Sequence, residues 1–286
     1  MVTTGSRDEE PGQMSDTDAP LSPPPPSLGS PRLQWLRVQF ALILREMTTT
    51  YSKSTGGYLW AIIEPLGAIA LLSLVFSAMV RTPSLGTSFM LFYGTGYITY
   101  QMYSQLHSSV SGAVSFNRSL MQYPAVTPID AVISRAVLNF LTLCMSSFLL
   151  LTGIVLTQGV QVNLDLINVL SAFSMVALLG TGIGTLNCVL FSFYPSWQRV
   201  WSIMMRPLFI LSGIFYLPED LPSQARAVLE WNPIMHCVAR MRSGFYGTYH
   251  ADFVDPVYVC SIGTVTLVIG LYLLRRHKSA IVNPKF

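Results

Sequence analysis

The chain has 286 residues, 51% of them hydrophobic and 11% charged, where a soluble globular domain carries roughly 25% charged residues. Water is therefore not its main solvent. The net charge of +3 is small and no dense basic patch alternates with aromatic residues, which excludes a nucleic-acid-binding composition.

Residues 1–31 hold Asp8, Glu9, Glu10, Asp16 and Asp18, then four prolines from Pro23 to Pro26. So little apolar content builds no core, and the reading is a disordered acidic, proline-rich arm. It lacks the basic start, apolar run and small-residue cleavage site of a signal peptide. In the segment 32–54, apolar Leu33, Leu36, Phe40, Ile43 and Leu44 recur while Arg37 and Arg45 fall among polar neighbours. That pattern predicts an amphipathic helix lying in the cytoplasmic interface.

Six apolar stretches follow within 55–286, at 58–80, 89–114, 129–156, 166–194, 200–217 and 257–274, each near the roughly 20 residues that a bilayer demands. With both termini inside, thirteen of the seventeen Lys and Arg residues are cytoplasmic, leaving Arg81, Arg226, Arg240 and Arg242 outside. The positive-inside rule selects that orientation. The predicted fold is thus an all-α integral membrane protein. It has six transmembrane helices, an N-terminal amphipathic interfacial helix and a periplasmic re-entrant helical hairpin before the last span.

In the first span, Glu64 precedes Pro65 near the cytoplasmic start, where a carboxylate reaches water or a basic partner and the proline permits a bend. A structural joint is the favoured reading over substrate contact. In the second span Tyr93, Tyr97, Tyr100, Ser104, His107, Ser108 and Ser111 recur at three- and four-residue steps, which places them on one helix face. Hydroxyls gain nothing from lipid, so the stripe either lines a substrate channel or forms a buried polar interface between helices.

The connection 115–128 combines Asn117 and Arg118 with Leu120, Met121 and Tyr123. It reads as a coupling element that docks a partner, or as a solvated turn. In the fourth span Gly180, Gly182 and Gly184, and in the sixth Gly263 and Gly270, mark faces for close helix approach. Arg206 is expected near the cytoplasmic end of the fifth span. Together with Arg37, Arg45 and Glu64 it is a candidate lipid-head or entrance contact, with harmless snorkelling to the interface as the alternative for Arg206.

The longest connection, 218–256, is divided by Pro218, Pro222 and Pro233 around Trp231 and Asn232. Its apolar Val228, Leu229, Ile234, Met235, Val238 and Met241 point to a hairpin dipping into the outer leaflet, with helices lying flat on the surface as the alternative. The four cysteines show no metal-binding spacing, and a Cys237–Cys260 disulfide is one option. No metal site is expected.

A phosphate-cradling G-x-x-x-x-G-K-[ST] loop is absent, as are HExxH, G-x-S-x-G and paired intramembrane carboxylates, so the chain is not expected to be an enzyme or to supply its own ATPase. The blocks "LILREMTTTYSKSTGGYLWAIIEPL" and "LSGIFYLPEDLP...EWNPIMHCVARMRSGFYG", set in this order of elements, resemble permease subunits of ABC-2 type transporters, and within them the capsular polysaccharide and O-antigen exporters. The resemblance covers residues 33–286. It implies a homodimer around a central channel in a Gram-negative inner membrane, two copies of a separate ATPase that binds ATP and Mg, and periplasmic and outer-membrane capsule export partners. No cofactor is expected on this chain. The stretch "TTTYSKS" is less basic than that family's pattern. An exporter of small drugs or lipids shares the fold, and a channel or secondary transporter is the alternative from another class.

Overall fold

The computed structural model describes residues 31–51, 59–122 and 126–282. Most of the acidic arm, Lys53, Tyr123 and Lys285 lie outside them. Every regular element among the described residues is helical: α1 (Pro31–Tyr51), α2 (Trp60–Met79), α3 (Phe89–Ser111), α4 (Ala113–Asn117), α5 (Pro128–Gln158), α6 (Leu166–Phe193), α7 (Pro195–Ile210), α8 (Ser223–Leu229), α9 (Pro233–Phe245), α10 (Pro256–Arg276) and α11 (Lys278–Val282).

The starts of these helices are written in the sequence. The Ser88 hydroxyl accepts from the Leu91 amide to begin α3. Asp165, Asn232 and Asp255 do the same for α6, α9 and α10. Proline occupies the first turn of α5, α7, α9 and α10, where its missing N–H costs nothing. Thr127 and Asp130 form a reciprocal capping box on α5, which ends at Gly159 in a left-handed conformation with φ of 59°.

Among the described residues four helices, α2, α5, α6 and α10, are long and apolar enough to cross a membrane. Helix α3 is long but polar, with fifteen of its 23 residues buried by the others. Helix α7 has 16 residues, about 24 Å at 1.5 Å per residue. It starts five residues before the expected fifth span, because Pro195 presets the first turn. It also stops seven residues short, because the chain turns after Ile210 and takes φ of 76° at Gly213. Helix α3 ends at Ser111 instead of continuing to residue 114, since Gly112 leaves helical geometry at φ −84°, ψ 2°.

Helix α6 is the hub, packed against α10, α3 and α9. Its alternate glycines serve different neighbours. A side chain on Gly180 or Gly184 would meet Leu106 or Val110 of α3, and one on Gly182 would collide with the Gly263 carbonyl of α10. Gly263 and Gly270 in turn lie against Leu178 and Thr185. Helix α9 is mostly buried between α3 and α6, whereas Val228 and Trp231 before it are exposed. All four cysteines are free, so the Cys237–Cys260 bond is not made.

Arg242, counted from the sequence as an outward cation, is only 1% exposed. Its guanidinium lies 4.0 Å over the Phe92 ring and donates to the carbonyls of Ile214 and Tyr216 at 2.9 and 3.1 Å. Burial pulls its pKa down to about 10, which leaves it charged at neutral pH. It fastens the turn after α7 to α3 and α9, with no carboxylate in contact among the described residues.

The close approach of α6 and α10 gives a direct expectation. Gly182→Val overpacks a backbone contact and should lower stability by about 1–3 kcal/mol or more. Gly67→Ala, at a site with nothing within 4 Å, should be neutral or slightly stabilising. Thermal unfolding of the detergent-solubilised protein separates the two.

Candidate functional site

The polar face of α3 divides into two halves. Ser104, His107, Ser108 and Ser111 line a cavity of about 360 Å³ together with Gly112 and Ser115, Phe191 of α6, and Gln198, Trp201, Ser202 and Met205 of α7. The tyrosines nearer the Phe89 end are covered. The Tyr100 hydroxyl donates to the Met205 carbonyl at 3.0 Å, and Phe209 packs edge-on against both Tyr97 and Tyr100. Tyr93 is enclosed by Phe76, Phe89 and Phe92.

His107 forms a rigid wall of the cavity. Its Nε2 lies 2.9 Å from Asn187 Nδ2, and Asn187 Oδ1 accepts from Trp197 Nε1 at 3.0 Å. The amide therefore donates to Nε2, which makes that nitrogen the acceptor of a neutral ring. The imidazole stacks on Trp201 with centroids 5.2 Å apart. The Trp201 Nε1 is buried without a hydrogen-bond partner among the described residues.

At the Ser111 end, α1 is latched to α5 by its polar side. Gln39, Leu42 and Glu46, spaced at i, i+3 and i+7, are buried, while Leu36, Phe40 and Leu44 face outward. One carboxylate organises the contact. Asp130 Oδ1 accepts from Trp35 Nε1 at 2.9 Å and Gln39 Nε2 at 3.0 Å, and its Oδ2 accepts from the Thr127 amide and hydroxyl. Glu46 pairs with Arg135, whose guanidinium also lies 4.4 Å over the Phe116 ring. Arg45 donates to Asn117 Oδ1 at 3.1 Å, tying α1 to α4.

The sequence-predicted residues divide accordingly. Asn117 and Met121 point inward, Arg118 is exposed and Leu120 is half-buried. Tyr123 lies outside the described residues. Arg45 is engaged by Asn117, whereas Arg37 is exposed. Glu64 and Arg206 are both exposed and form no ion pair among the described residues. Arg206 is not near the start of its helix. It lies eleven residues into α7, about 16 Å along the axis, because α7 begins at Pro195.

Trp231, Asn232 and Pro233 form the entry turn of α9. The Asn232 side chain accepts from the Ile234 amide and donates to the Leu211 carbonyl, and the Trp231 carbonyl accepts from Tyr258. No cluster of three or more His, Cys, Asp or Glu residues suited to a metal occurs among the described residues. Sequence reasoning missed Asn187, Trp197, Trp201, Glu46 and Asp130. The T-x-x-D spacing of Thr127 and Asp130 was a readable capping signal.

Burial raises the Glu46 carboxyl above its ordinary value of 4.5, with Arg135 opposing. The sign follows from the raised folded pKa. This group contributes stability that is complete below pH 4.5 and is lost as the pH rises through the raised value. Glu46→Gln should therefore cost under about 1 kcal/mol, while Arg135→Met, which strands the buried carboxylate, should cost about 3–5 kcal/mol at neutral pH and less in acid. Unfolding midpoints measured on both sides of the transition check this.

Residues 38–246 match the family model described as ABC-2 type transporter. The chain is similar to the polysialic acid transport protein KpsM of Escherichia coli, 32% identical over 244 residues that cover 85% of this chain and 94% of the relative. It is 26% identical over 246 residues to the capsule polysaccharide export inner-membrane protein CtrC of Neisseria meningitidis serogroup A, covering 86% and 92% of the two. It is 20% identical over 241 residues to the O-antigen export system permease protein RfbA of Klebsiella pneumoniae, covering 82% and 89%. With its long apolar helices and a family match over most of its length, the chain belongs to the ABC-2 type transporter membrane family.

Proposed function

We propose that this chain is the membrane-spanning subunit of an ATP-driven exporter that moves capsular or related, lipid-linked polysaccharide outward across the inner membrane of a Gram-negative bacterium. The observation that carries this reading is the nearly end-to-end similarity to proteins named for capsule and polysialic acid export. ATP and Mg belong to a separate ATPase subunit, present in two copies.

In this reading α2, α3, α5, α6, α7 and α10 cross the bilayer and both termini are cytoplasmic. The Arg275, Arg276 and Lys278 cluster at the end of α10 supports that orientation. Helices α8 and α9 form a hairpin at the outer leaflet. Two copies of the chain enclose a path flanked by α3 and α7, and the ATPase docks on α4 and the exposed Arg118. Periplasmic and outer-membrane export proteins receive the glycan.

Arg206 supports an aqueous path. The bond from Tyr100 to Met205 sets this part of α7 level with the middle of α3. An arginine at the bilayer centre costs about 2.5–3.5 kcal/mol on insertion scales, and this one is exposed on the single chain. It faces water or a partner subunit, not hydrocarbon.

Deleting the gene should leave the surface without its polysaccharide and cause glycan to accumulate in the cytoplasm, with a plasmid copy restoring export. Composition analysis of the two fractions names the sugar. Unchanged surface glycan in the deletion strain excludes this function.

A further inference from the structure

We infer that a small niche between α2, α3 and α5 is a binding site for a single water molecule, which completes the backbone of α2 where Pro65 interrupts it. The site does not depend on which cargo the protein exports.

The niche has a volume of about 20 Å³ and is lined by Ala61 and Pro65 of α2, Gln101 and Gln105 of α3, and Ser146 and Ser147 of α5, with apolar side chains between them. One water needs roughly 10–15 Å³ of such space and two to four polar partners. Drug-sized ligands occupy pockets of about 300 Å³ or more, so the volume excludes a sugar ring or a lipid headgroup. No charged residue lines the niche, which leaves a cation without a counter-charge in a low-dielectric surround.

The polar groups around the niche lack partners. Pro65 lies inside α2 and has no N–H, so the Ala61 carbonyl loses its helical donor. Ser147 is 4% exposed, yet its hydroxyl makes no hydrogen bond among the described residues, and neither do the side chains of Ser146, Gln101 and Gln105. Elsewhere on α5 hydroxyls return to the backbone, as Thr142 does to Leu138 and Thr157 to Gly153. Buried polar groups are ordinarily satisfied. A water that donates to the Ala61 carbonyl and accepts from Ser147 or Gln101 satisfies groups on all three helices at once. Prolines are tolerated in membrane helices where hydroxyls and ordered waters satisfy the freed backbone in this way. Ser147 and Gln101 thus act on α2 through the water, at the point where that helix has lost a bond of its own.

Radiolytic hydroxyl-radical labelling tests the site, because radicals formed from a bound water oxidise the side chains beside it. The permease is purified with its ATPase in lipid nanodiscs and exposed to short X-ray pulses. Met102 lines the niche and is 1% exposed, while Met175, 2% exposed in the apolar core, is the dry reference. The expected result is sulfoxide formation several-fold faster at Met102 than at Met175. It should fall to the Met175 rate when Gln101→Leu is combined with Ser147→Val, which removes two partners and fills the space. Equal rates at the two methionines in the wild-type protein overturn the site without any variant. An unchanged Met102 rate in a double variant that still co-purifies with the ATPase also overturns it. Met102 labelling that falls when sodium replaces choline in the buffer assigns the niche to a cation and overturns the water. Unfolding midpoints test the link to α2. Ser147→Val should lower the midpoint less in a Pro65→Ala background, where the Ala61 carbonyl regains its donor, and additive shifts overturn that link.

Discussion

Hydrocarbon offers no partner to a hydroxyl, an amide or an imidazole, and helix α3 carries too many such groups to face it. The rest of the structure follows from enclosing that helix. The threonines of α3 bond back to their own carbonyls, as Thr95 does to Leu91 and Thr99 to Thr95. Tyr100 finds a carbonyl on α7, and His107 finds the Asn187 amide on α6. Glycines on α6 let α3 and α10 approach its backbone on two different sides. Ser104, His107, Ser108 and Ser111 line the cavity that this enclosure leaves at the Ser111 end.

The same accounting explains α1. Leu36, Phe40 and Leu44 turn outward while Gln39 and Glu46 turn inward beside Leu42, so two polar side chains take buried positions. Gln39 and Glu46 have partners on α5, and Asp130 serves both as the cap of α5 and as the acceptor for α1. Breaking the latch would expose a carboxylate and an arginine to each other's absence, which costs more than the pair itself contributes. Helix α4 is tied into this assembly through Arg45 and Asn117, so a force applied to α4 is shared by α1, α3 and α5. Arg242 plays a comparable part at the opposite end, where it joins the turn after α7 to Phe92.

The apolar runs were the legible part of the sequence, because span length and hydropathy are set by the bilayer and not by neighbours. Helices α2, α5 and α10 lie within two residues of the stretches read from it. The glycine faces of α6 and α10 could also be read, since small residues in a membrane helix mark approach. Helix α7 is offset from the fifth apolar stretch because Pro195 and the turn at Gly213 set its ends. The stripe on α3 was visible as periodicity, but its division into a covered tyrosine half and an open serine half depends on Phe209 and Trp201, residues from another helix. The charge count places Arg242 among the outward cations, and nothing in the periodicity singles out Gln39 or Glu46. Only tertiary partners reveal that they are buried.

On the proposed path the polymer passes along the serine half of α3 and the facing side of α7. A photo-crosslinking residue at Ser104, in cells making the glycan, tests it most directly. The expected result is light-dependent permease adducts that carry the glycan and react with a lectin or antiserum against it, while the same residue at the outward-facing Leu170 gives none. Adducts at Leu170 equal to those at Ser104, or none at Ser104 in a complex that exports normally, would contradict it.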